Sequence, residues 1–295
     1  MMTVKKILIN EDNEGRRIDN FLISIYSTVP KSKIYNIIRK GEVRVNSKRI
    51  KPSYKLKIDD LVRIPPYLDG PSAQNKKISS DLIEKHTTKI IYEDTNYIVT
   101  NKNNDIAVHS GSKNGIGLID IFRLKFGNHI ELCHRLDKHT SGCLVLAKNK
   151  KSVKYFSNLL TTNEIKKIYI AILKGRFKEK RIIENEIYKN NSLKLKKSKS
   201  IFKLVRQLKN TSIVSVDLYT GRTHQIRIHA SQIKHPILFD KKYGDEIFNS
   251  SINLNFKKTM ALHSKSITFK DQNSKIIKAT ATYPDEFKKL INALK

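Results

Sequence analysis

The chain has 295 residues, enough for about two domains, and sets 58 Lys or Arg against 27 Asp or Glu for a formal charge of +31. No apolar run approaches the roughly 20 residues that span a bilayer, and the start MMTVKKILINEDNEG carries no signal-peptide core, so no membrane association and a cytoplasmic location are expected. Two cysteines, Cys133 and Cys143, without CxxC spacing exclude a disulfide scaffold, and the sign of the charge points to a polyanion, nucleic acid foremost.

The first predicted element is a helix in RRIDNFLISIY, where Ile18, Phe21, Leu22 and Ile25 share one face. A second helix follows, started near Pro30 and Ser32, buried through Ile34, Ile37 and Ile38, and closed by Gly41 as a left-handed cap. In EVRVNSKRI the period changes to two, and the pair Asn46–Ser47 reads as the turn of a small hairpin. Residues 14–66 hold 13 Lys or Arg against 5 Asp or Glu. Lys31, Lys33, Arg39, Lys40 and Arg44 cluster on the second helix and hairpin, as a phosphate grip would require, although a solvated basic face gives the same pattern. The stretch KSKIYNIIRKGEVRVNSKRIKPSYKLKIDDLVRI resembles the S4 RNA-binding domain over nearly its whole length. Residues 1–66 are therefore assigned to an S4-like module and 67–88, rich in Pro, Gly, Ser and Asn at PPYLDGPSAQNKKISSD, to a linker.

From residue 89 to 295, strand-like runs (KIIYED, YIVTNK, CLVLAK, KIYIAILKG, TSIVSVDLY, SITFK) are interrupted by helical patterns at IGLIDIFRLKF, SVKYFSNLL and DEFKKLINALK. Strands and helices without regular alternation predict an α+β domain on a mixed, largely antiparallel sheet.

Two constellations carry chemistry. In CHRLDKHTSGCLVLAKN, Asp137 stands between Arg135 and Lys138, in a loop that enters a buried strand through a turn at Gly142. Read locally, an Asp there serves a turn or a structural ion pair at least as readily as catalysis. In YTGRTHQIRIHASQI, the residues Arg222, His224, Arg227 and His229 stud a segment turning from strand to helix. If Thr223 to Ile228 is extended, Arg227 lies on the face opposite His224 and Ile226 and can pair bidentately with a carboxylate, holding Asp137 ionised. An arginine that contacts RNA fits the pattern equally well. The nine histidines form no HExxH or Cys/His cluster and recur beside arginines that would repel a cation, so no metal site is expected.

HRLDKHTSGCLVLAKN, KKIYIAILKG and TGRTHQIRIHASQIKHPILFDKKYGD resemble, in order, the three signature segments of the RluA-type pseudouridine synthases. The resemblance implies a pseudouridine synthase catalytic domain that isomerises uridines in 23S ribosomal RNA without a cofactor. Position by position, it puts the catalytic aspartate at Asp137, the active-site tyrosine at Tyr169 and the aspartate-pairing arginine at Arg227. It makes Arg135 the residue inserted where the target base leaves its stack, and His134, Arg222, His224 and His109 the further substrate contacts. A monomer is expected. Two segments depart from the family pattern: NKNND lacks the Pro and Gly of that loop, and KLKKSKSIFKLV stands where relatives carry a Gly-Lys-Pro turn.

Overall fold

A computed structural model describes residues 4–26, 29–68, 78–110, 116–188 and 194–295. The chain divides into two units, Met1–Ile78 and Ser79–Lys295. In the first, strand β1 (Lys5–Leu8) precedes helices α1 (Ile18–Ile25) and α2 (Lys31–Arg39). The short strands β2 (Arg44–Val45), β3 (Lys48–Arg49) and β4 (Leu61–Ile64) then complete an antiparallel sheet of order β1-β4-β2-β3. Ile18, Phe21 and Leu22 meet Ile34, Ile37 and Ile38 over Val43, Val45, Val62 and Ile64 in one apolar core. Ile25, expected on that buried face, is instead 40% exposed at the last turn of α1. Asn46 and Ser47 take φ of 49° and 66°, the paired left-handed conformation of a two-residue hairpin turn, which matches the right-handed twist of its strands. Gly41 has φ +74°, the left-handed conformation that a helix cap takes and that favours glycine.

The second unit opens with helix α3 (Ser80–Thr87), capped by the Ser79 hydroxyl, which accepts the Leu82 N–H at 3.3 Å. Residues 80–87 of the segment read as linker are thus helical, because a Ser cap and the half-buried Leu82 and Ile83 give the stretch a helix start and an apolar side. Residues 69–77 of the same segment lie outside the described residues. There follow β5 (Ile90–Glu93), β6 (Tyr97–Lys102), α4 (Leu118–Phe126), β7 (Glu131–Leu132), β8 (Ser141–Ala147) and α5 (Lys150–Thr162). Next come β9 (Lys166–Lys174), β10 (Arg181–Tyr188), β11 (Leu195–Gln207), β12 (Thr211–Leu218), α6 (Gln225–Gln232), α7 (Glu246–Ser251), β13 (Leu262–Lys270), β14 (Ile276–Thr280) and α8 (Asp285–Ala293).

The strands form one mixed sheet of order β10-β11-β12-β9-β13-β8-β6-β5, with β7 on β8 and β14 on β13. Every ladder between its strands is antiparallel except β8 with β13. That exception matters for the site. Ser264 of β13 pairs with Gly142 of β8 on one side and with Tyr169 of β9 on the other, so the loop ending at Thr140 is delivered beside Tyr169 in the middle of the sheet.

Gly142 lies inside β8, not in a turn before it. It has φ +108°, and a Cβ would lie 2.2 Å from the Ser264 carbonyl oxygen, so only glycine lets the two strands approach. The rest of β8 is buried on both faces, as its continuous apolar run requires. Helix α5 covers it through Phe156 and Leu159, which join Tyr97, Val99, Val145 and Phe269 in the core. Cys133 and Cys143 are buried and unbridged, as small hydrophobes.

Candidate active site

The loop before β8, the faces of β9 and β12, and the start of α6 enclose a cleft of about 260 Å³. Asp137 is the single carboxylate lining it among the described residues, together with Tyr169, Arg227, Arg135, His134, Arg222 and His224. Arg227 lies in the first turn of α6, and its Nη1 donates to Asp137 Oδ2 at 3.0 Å. The segment 225–228 is helical, not extended, so Arg227 and His224 turn towards the same carboxylate instead of opposite faces: His224 Nε2 stands 3.8 Å from Asp137 Oδ2.

The bidentate partner of Arg227 is not Asp137. Its Nε and Nη2 each donate to Asp240 at 2.7 Å, and Asp240 Oδ1 also accepts the N–H groups of Lys242 and Tyr243 at 2.9 and 3.2 Å. Burial opposes charge on both groups. Their mutual bonds outweigh it, holding the Asp240 carboxyl below the usual carboxylate range and the guanidinium above its ordinary value.

Tyr169 is buried on β9, hydrogen-bonded to Ser264, and burial pushes its hydroxyl up to about 12, so it is protonated at neutral pH. The helix that carries Arg227 is held down by buried polar groups. Gln225 donates to the Lys199 carbonyl at 3.0 Å and accepts from Thr220 Oγ1 and the Arg222 N–H at 2.7 and 3.0 Å, fixing the TGRTH turn.

His229 does not face the cleft; it reaches Ser198 and Ser200 of β11 and Asn185 of β10. Asn185 Oδ1 can only accept, so Nε2 carries the His229 proton and Nδ1 accepts from Ser200. Burial lowers the ring to about 4, keeping it neutral. The serines of KKSKS, where the family pattern is broken, are therefore the docking points of α6.

Residues 96–232, which contain Asp137, Tyr169 and Arg227, match the RNA pseudouridylate synthase family, and residues 16–62 match the S4 domain. The ribosomal large subunit pseudouridine synthase C of Buchnera aphidicola subsp. Acyrthosiphon pisum is 38% identical over 296 residues, covering 95% of this chain and 94% of that protein. The chain belongs to this pseudouridine synthase family. The ribosomal large subunit pseudouridine synthase C of Haemophilus influenzae is 36% identical over 99% of the chain and 96% of its own length. The solved structure of human RNA pseudouridylate synthase domain containing 4 shares the catalytic fold, with a TM-score of 0.60 at 21% identity over 72% of this chain and 95% of that one. The chain is thus an isomerase of the pseudouridine-forming class, with an S4 domain ahead of its mixed-sheet catalytic domain.

Within the synthase, the remaining expected contacts divide. Arg135 is exposed where it lines the cleft, and Arg222 is half-buried there, its Nε donating to the Lys197 carbonyl at 3.1 Å. His134 lines the cleft but is a brace: its Nε2 accepts the Val145 N–H at 3.1 Å, its ring stacks on Phe156, and burial lowers it to about 4. His109 does not line the cleft, and Gly111 of the AVHSG segment lies outside the described residues. In the S4 domain, Lys31, Lys33, Arg39, Lys40 and Arg44 are all exposed.

Two residues were invisible to sequence reasoning. Asp240 sits in HPILFDKKYGD, and nothing in its spacing marks it as the partner of Arg227. Lys102, in the departing NKNND loop, is buried, and its ammonium donates to the carbonyls of Asn103, Ile106 and Lys138 at 2.7, 2.8 and 3.0 Å. It pins that loop to the residue after Asp137. An apolar strand ending in a lone lysine was the signal available.

Proposed function

We propose that the chain isomerises specific uridines of large-subunit (23S) ribosomal RNA to pseudouridine, on a nucleotide flipped out of its stack. The names of the full-length relatives support the RNA class. The supporting geometry is a cleft whose lining offers one carboxylate, Asp137, held by Arg227 near a buried tyrosine. Breaking the N1–C1′ bond of a nucleoside calls for a carboxylate at the sugar, whether as nucleophile at C1′ or as base. The pair of carboxylates with which glycosidases protonate a leaving group and activate water is absent from the lining among the described residues, which suits retention of the base. The uracil can therefore turn and rejoin through C5, with Tyr169 as the flat wall against which it rests. Extruding the nucleotide costs a few kcal/mol, and the exposed Arg135 fills the vacated stack. Lys31, Lys33, Arg39, Lys40 and Arg44 grip phosphates elsewhere on the RNA. The enzyme works as a cytoplasmic monomer, which size-exclusion chromatography of the purified chain tests.

The test is conversion of uridine in a 23S rRNA transcript, read as carbodiimide-dependent stops in primer extension. Wild type gives new stops and Asp137→Ala gives none. Identical unmodified RNA from both proteins would end the reading, and release of free uracil would replace it with a base-excising hydrolase.

A further inference from the structure

Lys167 stands two residues before Tyr169 on β9, so the two side chains leave the same face of the strand, and both line the cleft. Lys167 is only 9% exposed, yet it has no hydrogen-bond or ion-pair partner among the described residues. The contrast with Lys102 is direct: that buried ammonium has three carbonyl acceptors, whereas Lys167 has none. Its neighbours make matters worse. Its cross-strand partner on β13 is Ile267, and burial together with the guanidinium of Arg222 lowers its pKa to about 8. The stem of Lys167 is buried while its ammonium opens to the cleft with no acceptor among the described residues, an arrangement suited to a ligand that brings the missing negative charge.

Resting on the uridine-isomerase reading above, the ligand's own chemistry says where that charge arises. When the N1–C1′ bond breaks, its electron pair leaves with the uracil and spreads over N1, O2 and O4. C5 then bonds to C1′, loses its proton, and N1 gains one, so the base is anionic only while detached. A phosphate is a poorer match, because backbone phosphates stay at the surface of the RNA, while Lys167, only 9% exposed and beside Tyr169 in the cleft, meets the part of the nucleotide that enters it. We propose that Lys167 contacts the uracil oxygens and stabilises the negative charge the base carries while it is detached from the sugar. Lys167 neither gives nor takes a proton in this role.

The experiment compares wild type with Lys167→Met on a 23S rRNA transcript, measuring single-turnover pseudouridine formation at saturating enzyme, RNA affinity against salt, and thermal melting. Loss of one preorganised electrostatic contact predicts a rate roughly 10²- to 10³-fold lower. The dissociation constant and its salt slope stay at the wild-type values, and the melting temperature is equal or higher, since methionine removes a desolvated charge. A wild-type rate in the variant overturns the proposal. So does a salt slope shallower by about 0.7, which marks a phosphate contact, or a lower melting temperature, which marks a structural lysine. Absence of pseudouridine with wild type itself would instead strike the underlying reading.

Discussion

Replacing Asp240 by Asn tests whether Arg227 is set by its buried partner. The Asp240 side chain is 1% exposed and that of Arg227 11%, and the two share both 2.7 Å bonds. Removing one partner of a buried pair costs about 3–5 kcal/mol. Asn keeps one acceptor oxygen and Arg227 keeps Asp137, so the low end applies, about 3 kcal/mol by the same measure. For a unit of this size that lowers the melting temperature by roughly 6–12 °C. Activity falls further, because a guanidinium released from Asp240 swings towards Asp137, and a displacement of about 1 Å costs on the order of 100-fold in rate. The pH dependence has a definite sign. Asp240 has a folded pKa below its ordinary value, so its contribution is complete above the unfolded value of about 4 and is lost as pH falls through the folded one. The stability gap between wild type and Asp240→Asn therefore narrows on acidification. Melting curves from pH 3 to 7, paired with single-turnover rates at pH 7, measure both effects. A variant that melts within about 2 °C of wild type and turns over normally would refute the reasoning, since that shift corresponds to less than about 1 kcal/mol.

Arg227→Lys should lose turnover more than RNA binding, because an ammonium cannot serve Asp240 in a planar two-bond pair while also reaching Asp137; comparable losses in both would make Arg227 a phosphate contact. Gly142→Ala should destabilise severely, with its Cβ 2.2 Å from the Ser264 carbonyl oxygen, while Gly221→Ala in the lining of the cleft, with nothing within 4 Å, should melt like wild type. Urea denaturation of both separates crowding at one glycine from a general intolerance of substitution at glycine. Neutralising Lys33, Arg39 and Lys40 together should reduce the slope of log affinity against log salt by about 0.7 for each phosphate that is no longer neutralised, leaving the rate at saturating RNA unchanged; an unaltered slope would mean this face does not grip RNA.

Most of the fold was legible, since it depends on periodicity. The stripe of Ile34, Ile37 and Ile38, the NS hairpin and the apolar run of β8 each carry their own local signal. The errors came where distant residues override a local pattern. Thr223–Ile228 alternates well enough for a strand, yet Gln225 and His229 bond to β11 at Lys199, Ser198 and Ser200, and that docking selects a helix. His134, which the resemblance makes a substrate contact, and His229, which studs the second constellation, are both kept neutral by burial and bond to the protein itself, a state no local pattern announces. Asp240 and Lys167 stayed hidden because nothing in one dimension distinguishes a carboxylate that is buried from one that is solvated, or a paired lysine from an unpaired one.

The division of Arg227 between two carboxylates bears on what Asp137 can do. Had Asp137 taken the bidentate pair, two of its roughly four acceptor sites would be spent on the guanidinium and its charge largely cancelled. Asp240 takes that pair instead, in a buried position where two backbone N–H groups fix its orientation. Asp137 receives a single bond from Nη1, which orients it while leaving the remaining lone pairs free to face a sugar. Asp240 already balances the charge of Arg227. In the proposed reaction that leaves Asp137 for the sugar, and Lys167, which lines the same cleft from β9 without a hydrogen-bond or ion-pair partner among the described residues, for the departing base.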